Sequence, residues 1–161
     1  MSPRAAWRLE SLGFTDVYDY VGGLADWLAF GLTTEGREAS PPRAGDAVRR
    51  DMPTCRLDDD LTSAAERIRE AGWDSCVVVD DARVVLGRLR ASAIGDDRGR
   101  SIEEAMDVGP TTVRPSEPLE GLIDRMRHHG VASMIVTTPD GRLVGVLRRD
   151  DAEQSFATSR E

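Results

Sequence analysis

The chain has 161 residues and a mass of 17.6 kDa, enough for one ordinary domain or two very small ones. It is 40% hydrophobic and 31% charged, so it can bury a core and is not a disordered tail. Asp plus Glu number 29 against 21 Lys plus Arg, and the net charge of −8 argues against nonspecific attraction to nucleic acid or anionic membrane while leaving room for one small anion pocket.

No apolar run approaches the roughly 20 residues that cross a bilayer. The opening MSPRAAWRLES has no apolar signal-peptide core. Two cysteines make neither a disulfide framework nor a metal-binding spacing, so a reduced, soluble, cytosolic protein is expected.

Residues 1–36 form the first unit. An Ala-rich helix carrying Leu12-Gly13-Phe14 is followed by an extended Val17-Tyr18-Asp19-Tyr20. Then come Gly22-Gly23, Asp26-Trp27 in a helix, and Gly31-Leu32. This α-β-α series resembles the C-terminal end of a rhodanese-like domain, about the last third of that family's fold. The resemblance implies a sulfur-carrying cysteine just before the first helix. Here Met1-Ser2-Pro3 stands there, and neither Cys55 nor Cys76 matches it. Sulfur transfer is therefore not expected; the segment reads as a remnant, or as part of a longer reading frame. Trp7, Leu9, Leu12, Phe14, Trp27, Leu28 and Phe30 are too apolar to stay wet. They are expected to pack on the rest of the chain or across a dimer.

Residues 37–45, REASPPRAG, read as a linker. Beyond it, the chain matches itself at an offset of 58 residues: Thr54 falls on Thr112, Leu61 on Leu119, Arg67 on Arg125, Gly72 on Gly130, Ser75 on Ser133, and Gly87 on Gly145. Repeat 1 spans 46–98, repeat 2 spans 99–156, and 157–161 is a tail.

Each repeat opens with a short extended piece, TCRL (54–57) or TVRP (112–115). A helix follows, its apolar face formed by Leu61, Ala64, Ala65 and Ile68, or by Leu119, Leu122, Ile123 and Met126. Asp58 and Ser116 are the expected N-caps, and Gly72 and Gly130 the positive-φ ends. Two strands come next, 75–80 with 84–90 and 133–138 with 142–148, joined by turns Asp80-Asp81-Ala82 and Pro139-Asp140-Gly141. A second helix closes each unit, around Ala91–Ile94 and Asp150–Phe156. One β-α-β-β-α unit leaves a sheet face uncovered, and two can cover each other. Both cysteines fall in predicted strands as buried, inert thiols.

The pattern over roughly residues 45–155 resembles a tandem pair of CBS domains (a Bateman module). The expected fold class is thus α+β, two β-α-β-β-α repeats packed with pseudo-two-fold symmetry after an N-terminal α-β-α remnant. The resemblance implies a non-enzymatic regulatory module that commonly forms flat homodimers. It implies an adenosine-containing ligand between the repeats, such as AMP, ADP, ATP, NAD or S-adenosylmethionine, and no required cofactor. The ligand's presence would be signalled to a partner protein.

The family's ligand motif, Gly-hydrophobic-x-Thr/Ser-x-x-Asp, corresponds in repeat 2 to Gly145-Val146-Leu147-Arg148-Arg149-Asp150-Asp151. Asp151 matches the ribose-binding carboxylate. Arg148 replaces the hydroxyl, and either holds phosphate or crowds the cleft. With them the resemblance groups Thr112, Val113, Gly130, Val131, Ala132 and Ser133 as the walls around a base. In repeat 1, Gly87-Arg88-Leu89-Arg90-Ala91-Ser92-Ala93 lacks the carboxylate. A weaker second site there comprises Thr54, Trp73, Asp74, Ser75 and Arg90, with Trp73 either stacking on a base or plugging the cleft. The alternatives are a ligand-free dimerisation or interaction scaffold, and a fragment of a rhodanese-like sulfurtransferase. His128-His129 lack a third metal ligand, and Asp58-Asp59-Asp60 and Asp96-Asp97 read as caps and loop charges.

Overall fold

A computed structural model of the chain describes residues 3–30, 32, 41–95 and 99–158. The linker residues 37–40 and the pair Asp96-Asp97 lie outside the described residues. In chain order the elements are α1 (Pro3–Ser11), α2 (Gly23–Ala29), β1 (Thr54–Cys55), α3 (Leu61–Ala71), β2 (Ser75–Val79), β3 (Val85–Arg90), α4 (Ala91–Ile94), α5 (Ile102–Ala105), β4 (Asp107–Val108), β5 (Thr112–Val113), α6 (Leu119–His128), β6 (Ser133–Thr137), β7 (Leu143–Arg148) and α7 (Arg149–Thr158).

Two sheets result, in the orders β1-β2-β3-β4 and β5-β6-β7. The internal match carries through to the register. Thr54 pairs with Val77 and Thr112 with Ile135, both in parallel; Ser75 opposes Arg90 and Ser133 opposes Arg148, both antiparallel. A register shift follows Val78 in one copy and Val136 in the other. Each strand pair is buried on both faces, which explains the unbroken apolar runs in β2 and β6. Cys76 and Val78 face α3, while Val77 and Val79 meet Ile135, Leu143 and Val146 of the other repeat. This third cluster is the seam between the sheets.

The leading segments of the two repeats cross over, a feature that helix and strand periodicity does not announce. Asp107 and Val108 of repeat 2 pair with Arg88 and Gly87 of repeat 1. Reciprocally, Arg49 forms a bridge with Val146, exchanging two backbone hydrogen bonds of 2.9 Å. Ahead of each crossing buried residues anchor the chain in the other repeat's core, Ala44 on one side and Ile102 with Ala105 on the other. Ala44, in a single 3-10 turn, is wholly buried in the repeat 2 core, and Ile102 of α5 is wholly buried in the repeat 1 core. Pro42, Ala44 and Gly45, at the end of the expected linker, are hydrogen-bonded to residues 115–119.

The helix caps differ from expectation. Asp60, not Asp58, caps α3, accepting from the Thr62 amide at 2.8 Å. Pro118, not Ser116, occupies the N-cap of α6, with no side-chain bond. The acidic residues just upstream instead close the preceding turns: Asp59 accepts from the Arg56 amide and Glu117 from the Arg114 amide, both at 3.0 Å. Gly72 (φ 70°) and Gly130 (φ 64°) take the left-handed conformation expected of them.

The N-terminal segment also departs from expectation. Residues 17–20 form no strand, so its order is two helices without the intervening β element. Within one chain its apolar side chains are only partly covered: Trp7 is 68% exposed, Phe14 60% and Leu24 65%, Leu9, Trp27, Leu28 and Phe30 are half-buried, and no residue from 4 to 30 is fully buried. The reason is physical: a single short extended piece has no ladder partner here, and a one-stranded sheet cannot form. Among the described residues no helix is long and apolar enough to cross a membrane, and no group of His, Cys, Asp or Glu could hold a metal ion.

Candidate functional site

Because the leading segments cross, each motif at the end of a long strand faces the other repeat. The eight residues grouped by sequence as the main site are therefore not brought together in one cleft. Thr112, Val131 and Ser133 line an open cleft of about 550 Å3. Its opposite wall is Arg88 and Arg90 of β3 with Asp107 of β4. Arg148 and Asp151 stand elsewhere, beside Trp73 and Arg49. Val113 lies in the repeat 2 core with 1% exposure, and Gly130 ends α6. Ala132 and Ser133 border a smaller pocket of about 240 Å3 with Trp73, Asp74 and Arg148.

The open cleft is built from four elements. Strand β5 brings Thr112, preceded by Pro110 and Thr111. The turn after α6 brings His129 and Val131, and β6 brings Ser133, Met134 and Ile135. Strand β3 brings the two arginines, two residues apart and thus on one face of the strand. Two ion pairs sit on its rim. Arg90 Nε donates to Asp107 at 2.9 Å, and Arg125 Nη2 donates to Glu117 at 3.0 Å. The cleft's charged groups are three arginines against two carboxylates. Sequence reasoning did not single out Arg88, Asp107, Glu117 or Arg125 as site residues. The departure of Arg88 from the hydrophobic position of the motif was the signal available.

Arg88 is the charged residue on the floor. Its Nε and Nη2 donate to Ser75 Oγ at 3.0 and 2.9 Å, and Nη2 also reaches Ser133 Oγ at 2.9 Å. The two serines are equivalent positions of the two repeats, so one guanidinium ties both together. Burial pulls Arg88 down from the ordinary guanidinium value, while Asp74 acts in the opposite sense.

The second cleft is partly filled from within, leaving about 240 Å3. Trp73 occupies the position that Val131 holds in the open one. The guanidinium carbons of Arg148 and Arg49 lie 5.5 and 5.8 Å from its ring centroid. Arg49 stands where Asp107 stands in the other copy, so an Arg–Arg juxtaposition replaces the Arg90–Asp107 pair. Its charge is met by Asp51 at 2.6 Å and by Asp151 at 3.9 Å. Asp151 Oδ2 is buried without a hydrogen bond. Thr54 lies on β1, its carbonyl accepting from Arg67 at 3.3 Å, and Ser75 is fully buried. Arg90, grouped by sequence with this weaker site, lines the open cleft instead.

Two β-α-β-β-α units, exchanging their leading segments and enclosing a seam with an inter-repeat cleft, define an α+β paired module. The model of the CBS domain family matches residues 44–94 and 102–155, and the chain belongs to that family. The L-aspartate semialdehyde sulfurtransferase of Methanosarcina acetivorans is 24% identical over 120 residues, covering 72% of this chain and 24% of that protein. The protein YtoI of Bacillus subtilis is 32% identical over 94 residues, 58% of this chain and 21% of its own length. The chain thus spans a quarter or less of the curated relatives it matches.

Among solved structures, the CBS-pair protein CBSX2 from Arabidopsis thaliana superposes with a TM-score of 0.67 at 18% identity, over 75% of this chain and 98% of that one. CBSX2 in complex with AMP gives 0.65 at 20% identity, over 74% and 98%. The CBS pair of MJ0100, in complex with 5′-methylthioadenosine and S-adenosyl-L-methionine, gives 0.63 at 18%, over 74% and 98%. These likenesses establish the fold.

Proposed function

We propose that the chain is a non-enzymatic regulatory CBS pair that takes an adenosine-containing ligand in the open cleft and signals its presence to a partner protein. The observation that carries this reading is the cleft itself, about 550 Å3 and lined from both repeats. Thr111 and Thr112 offer hydroxyl and backbone groups to a base edge, Val131 and Ile135 an apolar wall, and the arginines a polar end. An occupant touching both walls favours one relative arrangement of the repeats and shifts its population. That solved CBS pairs carry AMP, or 5′-methylthioadenosine and S-adenosyl-L-methionine, supports the ligand class.

The second cleft, held by Trp73, Arg49 and Arg148, serves in this reading as a scaffold rather than a site. A homodimer, a cytosolic setting and descent of residues 1–36 from a rhodanese-like domain belong to the same proposal. The two buried free thiols suit the setting, and the exposed apolar side chains of α1 and α2 suit a partner surface. The sulfurtransferase match covers 24% of that protein, so its activity is not assigned to this chain.

The test is calorimetric titration and thermal shift with AMP, ADP, ATP, NAD and S-adenosylmethionine. One saturable site is expected, with stabilisation by mass action. Val131→Trp, which places in the open cleft the side chain that fills the other, is expected to abolish it. No response to any of the five compounds overturns the reading in favour of the ligand-free scaffold.

A further inference from the structure

Arg88 is only 9% exposed, yet its hydrogen-bond partners are two neutral serine hydroxyls. The nearest carboxylate oxygen, on Asp74, is 3.6 Å away on a side chain that is 81% exposed. Buried arginines are ordinarily paired, because desolvating a cation without an anion is costly. The other two arginines of the cleft are matched by Asp107 and Glu117 at 2.9 and 3.0 Å, so Arg88, held only by the 3.6 Å pair with exposed Asp74, carries the least compensated charge. The fold does not demand an arginine there, since the equivalent position in repeat 2 is Val146, fully buried in the seam. A positive floor thus lies within a chain of net charge −8.

Resting on the reading of this cleft as a ligand site, we infer that it selects for negative charge through Arg88, taking nucleoside phosphates in preference to uncharged or cationic adenosyl compounds. Nη1, which makes no hydrogen bond among the described residues, is the free donor for a phosphate oxygen, and a charge-assisted bond there is stronger than one to a neutral group. The anion supplies the compensation that the serines do not. Arg90 lines the same cleft two residues further along β3 and adds to its positive end.

The test is calorimetry on the full chain with AMP, adenosine, 5′-methylthioadenosine, S-adenosylmethionine and inorganic pyrophosphate. AMP is expected to bind at least about tenfold more tightly than adenosine or either sulfur compound. Arg88→Met is expected to bring that ratio close to one while Arg142→Met, which removes the same charge from an exposed hairpin, preserves it. Arg88→Gln, which keeps a donor to the serines without the charge, replaces Arg88→Met if circular dichroism shows the latter unfolded. Adenosine binding as tightly as AMP, S-adenosylmethionine binding more tightly, or a ratio that survives loss of Arg88 overturns charge selection and leaves the adenosyl site standing. If no adenosyl compound binds, the adenosyl reading fails; pyrophosphate binding lost in the Arg88 variants then sustains the anion site, and its absence overturns that too.

Discussion

Gly145 lies so close to Arg49 that a Cβ on the glycine would stand 2.2 Å from the Arg49 carbonyl oxygen. The contact is where the leading segment of repeat 1 crosses β7, so the glycine permits the interlock of the repeats. Gly87 has the same place in repeat 1, but its nearest neighbour is the flexible Met106 side chain at 2.4 Å, with the Asp107 carbonyl at 3.0 Å. Gly145→Ala is therefore expected to destabilise by about 1–3 kcal/mol, the ordinary cost of overpacking. Gly87→Ala is expected to cost less, because a thioether yields where a backbone does not. Urea denaturation of both variants checks the order, and equal effects would contradict it.

Two guanidinium groups, those of Arg148 and Arg49, lie 5.5 and 5.8 Å from the centre of the Trp73 ring. A double-mutant cycle with Trp73→Val and Arg148→Met measures the contribution. Coupling of about 0.5–1 kcal/mol is expected for a stacked, partly exposed pair. Additive effects would mean that the ring packs without regard to Arg148.

Much of this architecture was readable from Leu61, Gly72, Ser75 and Gly87 falling on Leu119, Gly130, Ser133 and Gly145, because strand and helix periods leave a trace in every turn. The crossing was not, because it hangs on a few buried residues in short turns, Ala44 in one copy and Ile102 with Ala105 in the other, too few to set a period. Missing it had a direct consequence: Arg148 and Asp151 were grouped with Thr112 and Val131 of their own repeat, whereas a crossed pair sets each motif against the other repeat. The cap of α3 was misplaced by two residues for a different reason. Asp58-Asp59-Asp60 offers three acceptors, and only backbone geometry tells which one bonds the helix and which closes the turn. The N-terminal strand failed because extended residues become a strand only beside a partner.

Acid stability follows from how these carboxylates are held. Asp60 is lowered from its ordinary 3.8 by the Ser63 side chain and the Thr62 amide, and Asp59 by the Arg56 amide and Arg67. A carboxylate whose folded value is depressed stabilises the fold above its unfolded value, and that contribution is lost as pH falls through the folded value. Thermal midpoints are therefore expected to be flat from about pH 5 to 8 and to fall below about pH 4. Asp60→Ala is expected to lower stability at neutral pH, as loss of an N-cap, and to blunt the acid decline. A midpoint that rises on acidification would reverse the assigned sign.

Cys55 and Cys76 meet in the repeat 1 core with sulfurs 3.1 Å apart, at 2% and 1% exposure. Repeat 2 has Val113 and Met134 at the same positions. The contact with Cys76, then burial, holds the Cys55 thiol well above its ordinary value, so it is not a ready nucleophile. Native protein is expected to resist a thiol-specific reagent that modifies both cysteines in denaturant. Cys55→Val with Cys76→Met, which copies repeat 2 but enlarges both side chains in a packed core, is expected to cost about 1–3 kcal/mol. Rapid labelling of the folded chain would show instead that this core opens.

The N-terminal helices stand apart energetically from the pair. None of residues 4–30 is buried, and Val21 between α1 and α2 is 98% exposed. Short helices without tertiary burial are marginal in water, and apolar side chains left wet favour association. Limited proteolysis is therefore expected to cut first between residues 12 and 22, leaving a product that retains the whole pair. A chain starting at residue 41 is expected to keep the urea midpoint of the full one, because Pro42 and Ala44, which bond to repeat 2, are retained. A large drop in stability on this truncation would mean that α1 and α2 are covered in solution, and sedimentation of the two chains would show whether a second copy covers them.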